Sequence, residues 1–450
     1  MIDTVFLYLG LGGMLSGISN LILFLNENRD LKLLISHMQK SPDDFWLVGG
    51  CLRNSILSLP QNDIDITCSG DPTLLIQTWV KEVSAHWFWL DEERRQSRVL
   101  LENGLDLDFT PLRAPTITAD LQLRDFTINA LALPLDELFP ETELLDPTGG
   151  VDDLQKRRLA TCSPKSLLDD PLRMLKGIRH AVTLGFTLSP DTLEQVRKSA
   201  HFITDSAGER IRDELGKIFA ADQVLRGVEL LIDTGLLGSI FGEAGQYWNR
   251  QTALVELKNL RGKVSKEELK IVTSPAEVDN SEQFSIQAVF LLARLLNLYS
   301  PVDLPNLLHQ QLRFSRYFKK MIEELQQPPN LKLFSLATVI DGQRREALLV
   351  EQLEPFAEKK MVYWSLSDNL ITLERVEELQ QSFMSEQKFG RIPDLLNGKR
   401  VASLLGGTSN GQISEWLKKI KLAEINGEIT TATDAEKWLK DKLSFDKKPI

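Results

Sequence analysis

The sequence predicts an α+β chain, a small α/β head followed by a long all-helical remainder. Three observations carry this. Between about residues 45 and 134 short apolar or period-two runs alternate with helical ones. Past about residue 152 strand signals fade and helical Leu spacing takes over. A length of 450 residues also exceeds one domain, the prior being two to four units at roughly 150 residues each.

Composition bounds the rest. Apolar residues at 42% and charged residues at 26% support a buried core and argue against a disordered chain. Lys plus Arg number 52 against 63 Asp plus Glu, net −11, which excludes a polybasic nucleic-acid coat but not one basic groove. Residues 151–220 hold 12 Lys/Arg against 10 Asp/Glu, so any such groove is local. Cys51, Cys68 and Cys162 are scattered and form no CxxC, so neither a disulfide framework nor a zinc site is expected. A reducing, cytoplasmic setting fits.

Taken in order, Val5–Leu25 is an uncharged run of 21 residues, long enough to span a bilayer. Asp3 precedes it, no Lys or Arg stands before it, and Gly10, Gly12, Gly13 and Gly17 dilute it. The favoured reading is an apolar helix packed on the head, or a start placed too early, with Met14 or Met38 the true one. A membrane anchor is the alternative, and no stable membrane partner is expected. Phe45–Val48 reads as a strand, Gly49–Gly50 as a break, Leu52–Leu59 as a helix stopped at Pro60–Asn62. Asp63–Cys68 alternates as a strand, and Leu74–Val83 is helical. Arg98–Leu101 and Leu105–Pro111 read as strands joined by a turn at Asn103–Gly104. Helices follow at Ile211–Phe219, Val224–Leu237 and Ile286–Leu298, with a charged linker over Val264–Glu282. The expected divisions are an apolar segment (1–40), a head (41–145), a neck (146–220), a body (221–330) and a tail (331–450).

The chemistry concentrates in LVGGCLRNSILSLPQNDIDIT, 47–67. Asp63 and Asp65 lie two apart on a strand, so their carboxylates share a face. Such a hard-oxygen pair suits Mg²⁺, which accepts phosphate oxygens as further ligands. Gly49 and Gly50, where strand turns to helix, let backbone approach a phosphate, and Arg53 can neutralise it. The bland reading is a glycine turn beside solvated acids; the order strand–GG–helix–DxD favours phosphotransfer. A third carboxylate is wanted on a neighbouring strand, and Asp106 and Asp108, which share a face, both qualify. In LRDFTINALAL, Arg124, Asp125 and Asn129 are spaced like one or two helical turns and could bind ribose and phosphate. Alternatively, Asp125 caps Thr127–Ile128.

The ordered series GGCLRN–DID, RDFTINA, DPTGGVDDL, DDPLRMLKGIRHAVTLGF and GERIRDEL resembles the motifs of class II tRNA nucleotidyltransferases and their poly(A) polymerase relatives. The likeness covers about residues 45–245. It implies a polymerase-β-like nucleotidyltransferase head followed by an elongated all-α neck, body and tail. It implies that Asp63 and Asp65 bind the metal, and that Asp108, five residues before Arg113, is the third acid in preference to Asp106. Gly49, Gly50 and Arg53 would hold the triphosphate; Arg124, Asp125 and Asn129 would contact ribose and phosphates. Asp146, Gly149, Gly150 and Asp153 would form the hinge between head and neck. Asp170 and Arg173 would read the incoming base, as an i, i+3 pair on one helix face, with Arg179 reaching the phosphates and Glu209 and Arg210 bracing the pair. Without that context, a surface ion pair would be the favoured reading of Asp170 and Arg173. The chain departs from the pattern at Asn54, Leu123, Lys176 and His180, the first two weakening claims on triphosphate affinity.

Only six residues, APTITA, separate Arg113 from Asp120. Relatives that add a full CCA or the final A usually carry a longer flexible loop here, so the likeness leans to the CC-adding subgroup. The expected reaction is Mg²⁺-dependent, template-independent transfer of CMP from CTP to a tRNA 3′ end, releasing pyrophosphate. A separate A-adding enzyme would complete the end. Alternatives are a full CCA-adding or A-adding enzyme using ATP, a poly(A) polymerase, or a non-catalytic RNA-binding relative. His180 and His201 are expected to be structural, and Lys156, Arg157 and Arg158 to be solvated charges.

Overall fold

A computed structural model describes residues 17–60, 63–135, 142–263, 285–327, 337, 340, 342–353, 356–368, 371–386, 392, 394–406 and 409–446. The chain divides into two compact units, Met1–Gly242 and Glu243–Ile450.

The first unit opens with helix α1 (17–27). Ile18, Leu21, Ile22 and Leu25 recur at helical spacing and are buried in the same core as the sheet. Gly17 is so close to the head that a Cβ there would stand 2.2 Å from the Ser55 carbonyl oxygen. Asn28 then caps α2 (Arg29–Met38), accepting from the Asp30 and Leu31 N–H groups at 3.1 Å. The described part of the apolar run therefore packs on the head, and Met38 is itself core, 2% exposed. Residues 5–16 of that run, Met14 included, lie outside the described residues. No helix among the described residues is long and apolar enough to cross a membrane.

A six-stranded sheet follows, in the order β3-β4-β5-β2-β1-β6. Its strands are β1 (Phe45–Val48), β2 (Asp63–Cys68), β3 (Ala85–Asp91), β4 (Gln96–Leu101), β5 (Asp106–Pro111) and β6 (Ala132–Pro134). Only β2 and β5 pair in parallel, across the connection through α4 (Thr73–Val80), β3 and β4; the rest is antiparallel. Alternation does the sorting. Ile64 and Ile66 of β2, Val99 of β4 and Leu107 and Phe109 of β5 point into the core with Trp79 and α1–α2. Each such side chain, fully buried, contributes about 1.5–3 kcal/mol. Trp79 also donates its Nε1–H to the Asp30 carbonyl at 3.0 Å, tying α4 to α2. The opposite face carries the acidic residues.

Strand β3 was not anticipated. Its AHWFWLD text has aromatics on both faces, and as an edge strand it buries neither face fully. Helix α3 (Gly50–Ile56) starts two residues earlier than expected and ends three earlier. The helical reading of 124–129 is corrected to a 3₁₀ turn, Thr127–Asn129, after extended Phe126. The segment Val224–Leu237 is two helices, α11 (Val224–Asp233) and α12 (Leu236–Phe241), broken where Gly235 takes φ +79°. Past residue 152 one small parallel pair does occur, β7 (Arg158–Leu159) with β8 (Thr187–Leu188). The remainder of this unit is helical, including α5 (Ile117–Gln122), α6 (Gly150–Gln155), α7 (Ser166–Asp169), α8 (Arg173–Leu184), α9 (Pro190–Ser199) and α10 (Gly208–Ala220).

The regular elements among the second unit's described residues are all helices. Ile286–Tyr299, apolar except along Gln287, Arg294 and Asn297, is buried at Val289, Phe290, Leu291 and Leu292. Gln343–Gln352 packs on Leu373–Glu386, where Arg375 bridges Glu346 at 2.7 Å. A smaller core joins the last three helices through Val401, Ile420, Ala435 and Leu439. The linker expected over Val264–Glu282 lies outside the described residues.

Candidate active site

Strand register assembles the site. Asp63 stands opposite Asp106 and Asp65 opposite Asp108. Arg98 of β4 stands opposite Asp108, and Val48 of β1 opposite Asp65. All four carboxylates therefore share the face turned away from the core. Register also separates Asp106 from Asp108, which sequence alone left equal. Asp108 is held in a two-pronged fork, Arg98 Nε to Oδ1 and Nη2 to Oδ2, both 2.7 Å. Asp106 stands only within 3.7 Å of Arg98 Nη1. The fork raises the Arg98 guanidinium above its ordinary value through the Asp108 hydrogen bonds.

Gly49 takes φ +80°, and a Cβ there would lie 2.8 Å from Asp65 Oδ2, so only glycine fits. Asp65 accepts from the Gly50 N–H. Burial first, then the neighbouring Asp108 and Asp63 charges, push the Asp65 carboxyl up, with Arg124 opposing. Crowded hard-oxygen donors of this kind fit a divalent cation that brings further oxygen ligands with it. Among the described residues no three His, Cys, Asp or Glu side chains gather as a complete metal cage.

Arg124 is oriented by a residue the sequence reading missed. Asp120, 1% exposed, accepts from Arg124 Nε at 3.3 Å and Nη2 at 3.2 Å, and from Arg113 N at 3.0 Å and Nε at 3.1 Å. Burial alone would raise the Asp120 carboxyl, but its bonds to Arg113 and the charge of Arg124 hold it below the ordinary range. The i, i+4 spacing of Asp120 and Arg124 was a readable signal. Arg98, also missed, needed the β4–β5 register and had none.

Asp125 does not cap Thr127–Ile128. Its Oδ1 accepts from the Phe126 N–H at 2.8 Å and from Asn129 Nδ2 at 3.1 Å. Asn129 Oδ1 in turn accepts from Arg53 Nη1 at 2.5 Å, and Arg53 donates to Asn54 Oδ1 at 2.8 and 3.1 Å. Asn54 thus orients Arg53 without neutralising it. Burial and the nearby Arg179 charge lower the Arg53 guanidinium.

The DPTGG segment buttresses this turn. Asp146 accepts from the Gly150 and Val151 N–H groups at 2.7 and 2.9 Å, capping α6. Gly149 is left-handed, φ +77°, and a Cβ on Gly150 would strike the Thr127 carbonyl oxygen at 2.1 Å. Asp153, 2% exposed, accepts from Thr127 Oγ1 at 2.6 Å and from Arg158. Lys156 and Arg158 are consequently engaged with Asp152 and Asp153 as well as with solvent.

Asp170 and Arg173 are not on one helix. Asp170 ends α7 with extended backbone, φ −146°, and Arg173 is the first residue of α8. The residue order Asp-Pro-Leu-Arg explains this, since proline disfavours helical backbone at the residue before it. Asp170 Oδ2 accepts from Arg210 Nη2 at 3.2 Å and Oδ1 from the Leu172 N–H. Arg173 donates to Ser166 Oγ at 2.9 Å, the Ser166 carbonyl at 3.1 Å and the Leu123 carbonyl at 3.2 Å. Both side chains are thereby fixed by other partners. Glu209 lies beside Arg210 in the first turn of α10.

Asp65, Arg124, Asp125, Asp170, Arg173 and Lys176 line one cavity of about 420 Å³. Arg53 and Asn129 form a second group, joined to it through Asp125. Arg179 bonds Glu214 at 2.7 Å. His180, 4% exposed, meets Phe126 edge-on at 6.0 Å. Burial and the charges of Arg179 and Arg53 keep its imidazole well below the usual range, hence neutral.

This cavity can hold an anionic nucleotide between acids on a sheet and a mixed acid–base wall on helices. Comparison with known proteins agrees. Residues 45–117 and 113–160 match the poly(A) polymerase head domain, and 185–246 match the probable RNA and SrmB-binding site of polymerase A. The CC-adding tRNA nucleotidyltransferase of Geobacter sulfurreducens is 30% identical over 90% of this chain and 93% of its own length. The chain belongs to the tRNA nucleotidyltransferase and poly(A) polymerase family. It is a nucleotidyltransferase. The A-adding tRNA nucleotidyltransferase of Deinococcus radiodurans is 37% identical over 44% of each chain. Among solved structures, a CCA-adding enzyme complexed with CTP superposes with TM-score 0.69 at 21% identity, covering 96% of this chain and 99% of that one. The Thermotoga maritima CCA-adding enzyme complexed with tRNA gives TM-score 0.65 at 21% identity, covering 95% and 98%. These two likenesses establish the fold, an α/β nucleotidyltransferase head with helical units after it.

Proposed function

We propose that this nucleotidyltransferase adds two cytidines to the 3′ end of tRNA, transferring CMP from CTP and releasing pyrophosphate. The observation that carries the C-only reading is the short span between Arg113 and Asp120. Asp120 binds the Arg113 backbone and side chain, Thr116 caps Ala119, and α5 already begins at Ile117. So short and bonded a segment offers no lever to re-aim the wall from C to A. The Geobacter relative, matched almost end to end, supports the same reading.

In this reading Asp63 and Asp65 hold Mg²⁺, which when bound would lower the pKa of the attacking 3′-hydroxyl and neutralise charge on the departing pyrophosphate. The chain's own residues do the rest. Gly49 keeps the backbone clear of the Asp65 carboxylate. Arg53 and Arg179 supply positive charge to the triphosphate, while Arg124, Asp125 and Asn129 face the ribose. Asp170 accepts from cytosine N4–H₂ and Arg173 donates to O2 and N3. Arg210 and Ser166 keep that pair in place. Asp146, Gly149, Gly150 and Asp153 let α6 bear on the 124–129 turn. No covalent intermediate on the protein is required.

The test is direct. The protein is incubated with tRNA lacking its 3′ terminus and with CTP, ATP or both. Two cytidines from CTP, and no adenosine under any condition, is the expected product. Growth to a full CCA end, or addition of A to a CC end, would overturn the C-only reading. Loss of all addition would favour a non-catalytic RNA-binding role.

A further inference from the structure

We propose that the rings of Phe88 and His86, on edge strand β3, form a stacking platform for the last bases of the RNA strand whose 3′-hydroxyl attacks. The inference deepens the proposed reaction and rests on Asp63 and Asp65 as its cation pair. It begins from register. Phe88 stands opposite Arg98, Arg98 opposite Asp108, and Asp108 opposite Asp65. Two residues along, His86 stands opposite Leu100, Leu100 opposite Asp106, and Asp106 opposite Asp63. Both rings therefore lie on the face that carries the acids. Ala85 and Trp87 alternate with them and pack on the core from the other face.

Neither ring belongs to that core. Phe88 is 38% exposed and His86 is exposed, their centroids 6.3 Å apart. Arg98, the cross-strand neighbour of Phe88, is turned away into its fork on Asp108. The direction of the proposed transfer says what the rings face. The triphosphate is read at Gly49 and Gly50, at the end of β1. Strands β1 and β5 flank β2 on opposite sides. An in-line displacement sets the attacking and leaving oxygens on opposite sides of the phosphorus. With pyrophosphate leaving toward β1, the 3′-hydroxyl enters from the side of β5, β4 and β3. At strand spacings of about 4.8 Å, β3 lies roughly 10 Å beyond β5 and roughly 14 Å beyond β2. A strand that ends at the cations thus carries its last one or two bases over Phe88 and His86. Exposed aromatic rings bind single-stranded bases by their faces, and a base held there aims the attacking ribose at Asp65.

The experiment measures, by filter binding without CTP, the affinity of the full-length protein for tRNA lacking its 3′ terminus. Phe88→Ala should weaken binding about tenfold, and Phe88→Tyr, which keeps the ring, should stay within about twofold of the unaltered chain. Two further primers are made abasic at the last or the next-to-last nucleotide. On at least one of them the unaltered chain should lose about tenfold, and Phe88→Ala should add less than about twofold to that loss. The KM for CTP should move less than about twofold in either variant. Unchanged affinity in Phe88→Ala, or an equal loss on the intact and both abasic primers, would overturn the proposal. So would a dimer that Phe88→Ala dissociates in sedimentation, which would give this face to a second copy of the chain. Failure of the unaltered chain to add any nucleotide would instead sink the underlying reaction, and with it the side from which the RNA enters. The binding cycle needs no turnover, so the two failures are told apart.

Discussion

At the residue scale the site is a set of side chains whose freedom has been removed by partners. Asp65 is buried, faces Asp108 and Asp63, and touches the one glycine that could lie beside it. Asp65→Asn keeps the shape and removes the charge. Nucleotide addition should fall at least about a thousandfold while tRNA affinity, read by filter binding, stays within about twofold. Asp120 makes a prediction in pH. Its folded pKa is depressed, so its stabilising bonds to Arg113 and Arg124 are complete above the unfolded value of about 3.9. They are lost as the pH falls through the lower folded value. Asp120→Asn should therefore cost about 2 kcal/mol at pH 7, and urea melts of the two proteins should begin to converge as the pH falls below about 4. A gap that stays constant to pH 3 would refute the depressed carboxyl.

At the element scale two short segments decide the geometry. Gly150 brings α6 against the 3₁₀ turn, and a methyl group there would meet the Thr127 carbonyl at 2.1 Å. Gly150→Ala should cost about 1–3 kcal/mol. The shift of Thr127 and its Asp153 bond should also raise the KM for CTP in steady-state assays. The second segment is 114–119. Lengthening it by about ten Gly and Ser residues should leave the fold intact, since each doubling of a loop costs only about 0.6 kcal/mol. Gel analysis of extended tRNA should then show slower C addition, because Asp120 no longer tethers Arg113 closely. These elements also mark what could be read beforehand. The Asp63–Cys68 alternation and the Gly49–Gly50 break spoke through local chemistry, and so did the order of motifs. Strand β3 and the Arg98 fork did not, because an edge strand lacks a clear buried face and a cross-strand partner depends on register. Asp170 was misplaced for a different reason: helical spacing was assumed across Pro171, where the backbone leaves the helix.

At the scale of the whole molecule, every residue of the proposed site belongs to the first compact unit. CTP with Mg²⁺ should therefore stabilise that unit alone. A hundredfold excess over Kd contributes about 2.7 kcal/mol, which is roughly 5–10 °C in the melting of a unit this size. Differential scanning calorimetry should show one transition moved and another unmoved; a single transition moved as a whole would mean the units melt together. The net charge of −11 is spread over a chain whose neck is mildly positive, so tRNA binding should weaken with salt but less steeply than for a basic protein. The line that runs across the sheet from Arg98 through Asp108 and Asp65 to Val48 has one more implication. Had β2 paired one step out of place, Ile64 and Ile66 would turn to water and two ionised acids would enter the oily interior. Such a misfold costs on the order of a domain's whole stability. Solvent thus rejects an off-by-one copy before any substrate meets it, and the chain that survives folding already has its chemistry aligned.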